Sequence, residues 1–154
     1  MPITNIIDQL KRDEGEKSSA YDDADGAPIS AGTMVKGFVT VGIGTCIDAS
    51  RGCGLTDAEM EYLAVNRITL AAADIRVQFP WTSTMDGVRF GVLMNMCYQL
   101  GIEGLAQFKQ ALAAMQDENW PEASVQMLDS KWAKVQSPAR AQRLATQIVT
   151  GEWQ

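Results

Sequence analysis

Three aspartates, Asp22, Asp23 and Asp25, crowd the stretch AYDDADG, and a Gly-studded segment follows that ends in FVTVGIGT. The chain holds no histidine, so neither Ser–His–Asp nor Cys–His machinery can be assembled. Acid–base chemistry must therefore fall to carboxylates. Acids packed this tightly at a turn are solvated turn formers, calcium ligands, or include one that does chemistry. DDADG lacks the later glutamate of an EF-hand loop, which weighs against calcium. The three cysteines, Cys46, Cys53 and Cys97, are spaced too widely for a zinc site and would need a fourth ligand. Their odd count, with no evident framework, reads as reduced thiols, with Cys97 a small buried hydrophobe. A Cys46–Cys53 disulfide is geometrically possible in an oxidising compartment, but free thiols are expected.

A second candidate acid stands earlier. In ITNIIDQLKRDEG, Ile6, Ile7, Leu10 and Glu14 follow helical spacing, and Gly15 is placed to end the helix. Glu14 lies closer than Asp13 to the centre of the Ile6–Ile7–Leu10 face and near the helix C-terminus, where the macrodipole disfavours negative charge. Both effects would raise its pKa, as suits a carboxyl half inside the protein. The same position also suits an ordinary surface acid at a fraying helix end.

The elements that must position these groups follow from composition and pattern. At 154 residues, 46% hydrophobic and 21% charged, the chain reads as one globular domain. No apolar run approaches the roughly 18 residues of a membrane span, and the N-terminus lacks the layout of a secretory signal. A net charge of −6 argues against a general nucleic-acid binder. The first 30 residues carry seven acids against three bases, whereas Lys131, Lys134, Arg140 and Arg143 face only Glu152 after Ser130. That basic tail either meets an anionic ligand or balances the acidic N-terminus.

Residues 20–45 read as a β-region, and CIDASRGCG as a loop. LTDAEMEYLAVNRITLAAADIRVQF opens with a capping box, Thr56 to Glu59, and continues as a helix of about 20 residues, spanning about 30 Å. TMDGVRFGVLMNMCYQLG predicts the core helix. EGLAQFKQALAAMQDENW and WPEASVQMLDSKW follow as helices, the second with Pro121 just inside its start. SPARAQRLATQIVTGEW predicts a last helix capped by Ser137 and stopped at Gly151. The fold class is α+β: a small β-lobe at about 15–55, a connecting helix at about 56–78, and a helical lobe at 79–154 packed with the N-terminal helix 3–14.

Six fragments then occur in order: RDEG; AYDDADG, fitting Tyr-x-Asp-x-x-Gly; TVGIG, fitting Thr-x-Gly-x-Gly; NMCYQLG; SPARAQR; and TGEW. Together they resemble the phage-type lysozymes, the glycoside hydrolase family of T-even phage lysozyme, over nearly the whole chain. The resemblance implies that Glu14 is the general acid, Asp23 the catalytic aspartate and Thr40 the residue beside it that holds water. It implies that Arg140 orients the glutamate, and that Gln99 and Phe108 lie around the cleft floor and the edge of the helical lobe. Of the three aspartates, Asp23 is in register, and Asp22 and Asp25 are left as turn acids.

The implied substrate is the β-1,4 bond between N-acetylmuramic acid and N-acetylglucosamine in peptidoglycan, cleaved without metal or organic cofactor. The implied protein is a monomer whose partner is the glycan strand, with no nucleic acid and no membrane span. It would be held in the host cytoplasm until release to the periplasm, or carried as part of a virion protein. Two alternatives compete: a lytic transglycosylase acting on the same bond, and a non-catalytic glycan-binding virion module. The sequence departs from the family in the sixteen residues between Asp23 and Thr40, where the best-known members have a tight turn. It also carries Thr45 where many have His, and has a shorter passage to the core helix.

Overall fold

The computed structural model describes residues 3–154, with side chains from Ile6 onward. The fold is α+β, and it divides into two compact units, Met1–Glu61 and Tyr62–Gln154.

In the first unit, α1 (Ile3–Glu14) leads into a three-stranded antiparallel sheet of β1 (Lys17–Asp22), β2 (Val39–Gly42) and β3 (Thr45–Cys46), in that order. Gly15, at φ 79°, takes the left-handed conformation that lets the chain leave the helix. Tyr21 faces Thr40 and Asp22 faces Val39 across the first ladder, and Thr40 faces Cys46 across the second. The segment between β1 and β2 folds back on β1. Pro28 bridges to Tyr21, Ile29 N–H donates to the Ala20 carbonyl at 2.9 Å, and Asp22 N–H donates to the Ala27 carbonyl at 2.9 Å. The long hairpin expected from the sequence is thus an ordered flap on the sheet edge.

Helix α2 (Asp57–Gln78) begins with the expected capping box: Glu59 Oε2 accepts from Thr56 N–H at 2.8 Å, and Thr56 Oγ1 accepts from Glu59 N–H at 3.3 Å. Those N–H and O–H donors hold the Glu59 carboxyl below its ordinary value. The division between the units falls inside this helix.

The second unit continues through α3 (Gly87–Ala106), α4 (Lys109–Gln116), α5 (Trp120–Leu128), a wide turn at Trp132–Gln136 and α6 (Pro138–Thr150). Its core is fully enclosed at Ile75, Val92, Leu93, Met96, Leu105, Ala123, Met127, Ala141 and Ile148. Two spans differ from the expected helices. EGLAQFKQALAAMQDENW is not one helix, because the chain leaves helical conformation at Phe108 between α3 and α4, and Gly101 at φ 71° already kinks α3. WPEASVQMLDSKW ends as a regular helix at Leu128, and the wide turn takes over from Trp132.

The start of α3 and the end of α6 are clamped together. Arg89 donates through Nε to the Ile148 carbonyl at 2.8 Å and through Nη2 to the Val149 carbonyl at 3.1 Å, and pairs with Asp86 at 2.9 Å. Buried Gln147 donates to the Val88 carbonyl at 2.8 Å. Gly91 leaves the space that the Trp153 ring fills, for a Cβ there would lie 2.5 Å from the ring. Carbonyls left open at a helix end are satisfied here by a guanidinium that also holds the neighbouring helix.

Cys97 is 5% exposed in this core, and burial pushes its thiol pKa up. Replacement by alanine should leave the fold intact and lower unfolding free energy by about 1 kcal/mol, measured as a shift in urea midpoint at unchanged slope.

Candidate active site

The proposed acids of the first unit stand on different elements, Glu14 at the end of α1 and Asp23 just past the end of β1. Glu14, the last residue of α1, lies against Gly44 in the turn between β2 and β3: a Cβ on Gly44 would stand 3.2 Å from Glu14 Oε2 and 3.3 Å from its Cβ and Cγ. The Thr-x-Gly-x-Gly fragment therefore has a local reason, since Gly44 (φ 68°) both turns the hairpin and leaves room for the glutamate. Glu14 is exposed, not half-buried as its place on the Ile6–Ile7–Leu10 face suggested. The reason is that this face is itself open, with Ile6, Ile7 and Leu10 at 41%, 39% and 44% exposure, so it cannot desolvate a neighbour.

Asp23 follows the last residue of β1. Its N–H donates to the Phe38 carbonyl at 3.1 Å, and its Oδ1 accepts from Phe38 N–H at 2.7 Å. The side chain thus takes the place that a main-chain carbonyl would occupy in the next rung of the ladder. Oδ2 has no hydrogen-bond partner among the described residues, and so faces solvent ready to accept. Thr40, on β2 opposite Tyr21, is buried at 4%, and its hydroxyl donates to the Phe38 carbonyl at a long 3.4 Å. Phe38 is therefore the shared support of both Asp23 and Thr40.

Asp22 is more than a turn acid. It is 2% exposed, and it accepts three main-chain N–H bonds: Oδ1 from Ala24 at 3.0 Å and Gly37 at 2.9 Å, Oδ2 from Lys36 at 2.6 Å. The N–H of Lys36 above all, with those of Ala24 and Gly37, holds its carboxyl below the ordinary range. Asp25 does behave as a turn acid, accepting from Ala27 N–H at 3.0 Å and pairing with Lys36 at 3.0 Å. Ala27 N–H and the Lys36 ammonium lower its pKa. Both oxygens of Asp22 and both of Asp25 are thus taken by donors, which is not the electron-rich cage that calcium requires. Among the described residues no cluster of three His, Cys, Asp or Glu side chains could hold a metal ion.

In the second unit, Arg140, Gln99 and Phe108 belong to one cluster. Gln99 Oε1 accepts from Arg140 Nη1 at 2.9 Å and from Trp132 Nε1 at 3.0 Å, while Gln99 Nε2 donates to Ser137 Oγ at 2.7 Å. Phe108 meets the Trp132 ring edge-on, with centroids 5.8 Å apart and planes at 86°. Ser137 was expected as the cap of the last helix, yet its side chain makes no capping bond, being engaged by Gln99. Trp132 was not singled out from the sequence, and Ser137 only as a helix cap. An indole that is 3% exposed must find an acceptor for its N–H, and that requirement is the one signal that could have pointed to Gln99 as its partner.

A cleft of about 580 Å³ opens beside this cluster, lined by Phe108 and Trp132 together with Gln107, Gln126, Lys131 and Gln136. The partly exposed Phe108 ring, framed by amides and by Lys109, Asp129 and Lys131, is suited to a polar ligand with flat apolar patches. Gln99→Ala should leave the Trp132 N–H without an acceptor and cost about 1–3 kcal/mol. Gln99→Glu, which keeps the acceptor, should be far milder, as thermal denaturation would read.

A scan against models of known protein families finds no match. Comparison with curated proteins does find relatives. The chain is 28% identical to "Probable T4-type lysozyme 1" and 24% identical to "Probable T4-type lysozyme 2", both of Dictyostelium discoideum, covering 97% of this chain and 96% of each relative. It is also 27% identical to the "Pre-baseplate central spike protein Gp5" of Enterobacteria phage T4, where 97% of the chain matches only 28% of that longer protein. Six motifs in order and similarity running end to end to two proteins named as T4-type lysozymes point the same way, and the chain is similar to T4-type lysozymes over 97% of its length.

Proposed function

We propose that the chain is a muramidase that cleaves the β-1,4 bond between N-acetylmuramic acid and N-acetylglucosamine in peptidoglycan, with inversion at the anomeric carbon. The observation that carries this reading is the placement of two carboxylates at the two ends of the short strand β2: Glu14 from the end of α1, against Gly44, and Asp23 just after β1, with one oxygen held by Phe38 and the other open. Glycosidic cleavage needs one carboxyl to protonate the leaving oxygen and another carboxylate on the far side of the sugar. Glu14 is assigned as the general acid. Asp23 is assigned as the base that takes a proton from the attacking water, with the Thr40 hydroxyl as that water's second contact. The long bond from Thr40 to the Phe38 carbonyl holds its proton only weakly, so the hydroxyl is free to turn towards water.

The cluster of Arg140, Gln99 and Phe108 is assigned to binding and orienting substrate. Arg140 brings positive charge and Phe108 a flat apolar surface. No metal or organic cofactor enters the scheme, because proton transfer and water attack are within the reach of carboxylates alone. The partner is the peptidoglycan glycan strand, met by a monomer. The similarity to a baseplate spike protein favours a virion-associated setting as one of two, the other being release from the host cytoplasm to the periplasm. No helix among the described residues is long and apolar enough to cross a membrane.

Glu14→Gln should abolish lysis of outer-membrane-stripped bacteria while leaving thermal stability unchanged or raised, since a catalytic acid is kept at some cost to the fold. Near-normal lysis by that variant would remove Glu14 from the role. The inverting route needs the two carboxyls more than about 6 Å apart, to leave room for water, and the first product should be the α-anomer. NMR of fresh product reads this before mutarotation, and initial β-anomer would sink the mechanism. A 1,6-anhydro product would instead identify a transglycosylase. Thr40→Ala should lower kcat sharply with little change in KM, because the loss falls on attack and not on ground-state contacts.

A further inference from the structure

We propose that Asp22 is a positioning residue for catalysis: its buried carboxylate locks residues 36–38 in the register that holds the Asp23 carboxylate in place. The inference rests on the assignment of Asp23 as the base. A carboxylate withdrawn from water persists only when charge-assisted donors replace its hydration, and Asp22 has three, all from the main chain. They come from the two ends of the sixteen-residue excursion between Asp23 and Thr40: Ala24 at its start, Lys36 and Gly37 near its close. One side chain therefore closes a loop that the paired strands alone would leave open.

The next N–H along the chain after those of Lys36 and Gly37 is that of Phe38, and it goes to Asp23 Oδ1 at 2.7 Å. Three consecutive donors are thus distributed over two adjacent carboxylates. A slip of one residue at Lys36 would deliver the wrong N–H to Asp23 and carry away the Phe38 carbonyl on which Thr40 rests. The fit is also sterically closed. A Cβ on Gly37 would collide with Asp23 Oδ1 and would stand 2.9 Å from Asp22 Oδ1 and 2.8 Å from Ala24 N. Only glycine lets the two carboxylates and the returning loop share that space. Asparagine cannot replace Asp22: it keeps one oxygen but turns an NH₂ towards an N–H that is itself a donor.

The experiment compares Asp22→Asn with Asp25→Asn and Glu14→Gln in the full chain, by kcat and KM on peptidoglycan and by amide NMR. Asp22→Asn should lower kcat by about 100-fold, the scale of a misplaced catalytic group, with KM within about twofold. Its Lys36, Gly37 and Phe38 amide signals should move while those of the second unit stay. Asp25→Asn, which removes an exposed turn contact, should keep most of its activity. Hydrogen exchange on the unmodified protein gives a readout that no variant can spoil: the Lys36, Gly37 and Phe38 amides should open together as one unit.

Full kcat in Asp22→Asn, an equal loss in Asp25→Asn, or a Phe38 amide that opens independently of Lys36 and Gly37 would each overturn the positioning role. If Asp22→Asn is fully active while Glu14→Gln is dead, the lysozyme reading stands and the positioning role falls. An unmodified chain that releases no reducing ends from peptidoglycan overturns both.

Discussion

A buried carboxylate must be repaid with donors, and in the first unit that requirement fixes the geometry of everything around it. The sheet is too small to define itself: β1 has six residues, β2 four and β3 two. Strands of this length need further anchoring to hold a register. Asp22 provides it by drawing three main-chain N–H groups from separated stretches onto two oxygens. The ordered flap, the rung between Asp23 and Phe38, and the placement of Thr40 above the Phe38 carbonyl all follow from that anchorage. Asp48 repeats the device on the other side of the sheet, accepting from Val39 N–H at 3.1 Å while capping the short turn that starts at Ala49.

The second unit obeys the same rule with neutral groups. Trp132 is buried for its apolar area, and its N–H must then be met inside the protein. Gln99 meets it, and the remaining capacity of that amide recruits Arg140 and Ser137. An arginine assigned to the substrate is thus held by an amide whose first obligation is to the core. Packing and binding are coupled through one side chain, so the cluster cannot be loosened on one side without a cost on the other.

What the sequence made legible was local. The end of α1 at Glu14 and Gly15, the capping box of Thr56 and Glu59, Pro121 near the start of α5 and the stop of α6 at Gly151 all depend on contacts within a few residues. The order of predicted elements carried the α+β fold class, and the motifs carried the resemblance to T4-type lysozymes. What stayed hidden depends on distant partners. Nothing near Asp22 announces that Lys36 and Gly37 will return to it, and nothing near Ser137 announces that Gln99 will claim its hydroxyl. The break of the chain at Phe108 was missed because the apolar pattern continues across it, while the edge-on contact of Phe108 with Trp132 is made outside a helix.

Two glycines show how such a small sheet can carry acids from distant parts of the chain. Gly44 gives up a side chain so that Glu14 can lie against the hairpin turn, and Gly37 gives one up so that Asp23 can lie against the returning flap. Each glycine sits close to an end of β2, so the short central strand is flanked by the two spaces that the carboxylates use. A larger sheet would bury such acids and oblige them to find partners or neutralise. Here Glu14 stays exposed and Asp23 keeps an oxygen open, while Asp22, which no chemistry needs exposed, is the one sealed in. Neighbouring aspartates of identical chemistry are thus divided between structure and the proposed chemistry by how many donors the main chain brings to each: three to Asp22, one to Asp23, and that division is set by the flap.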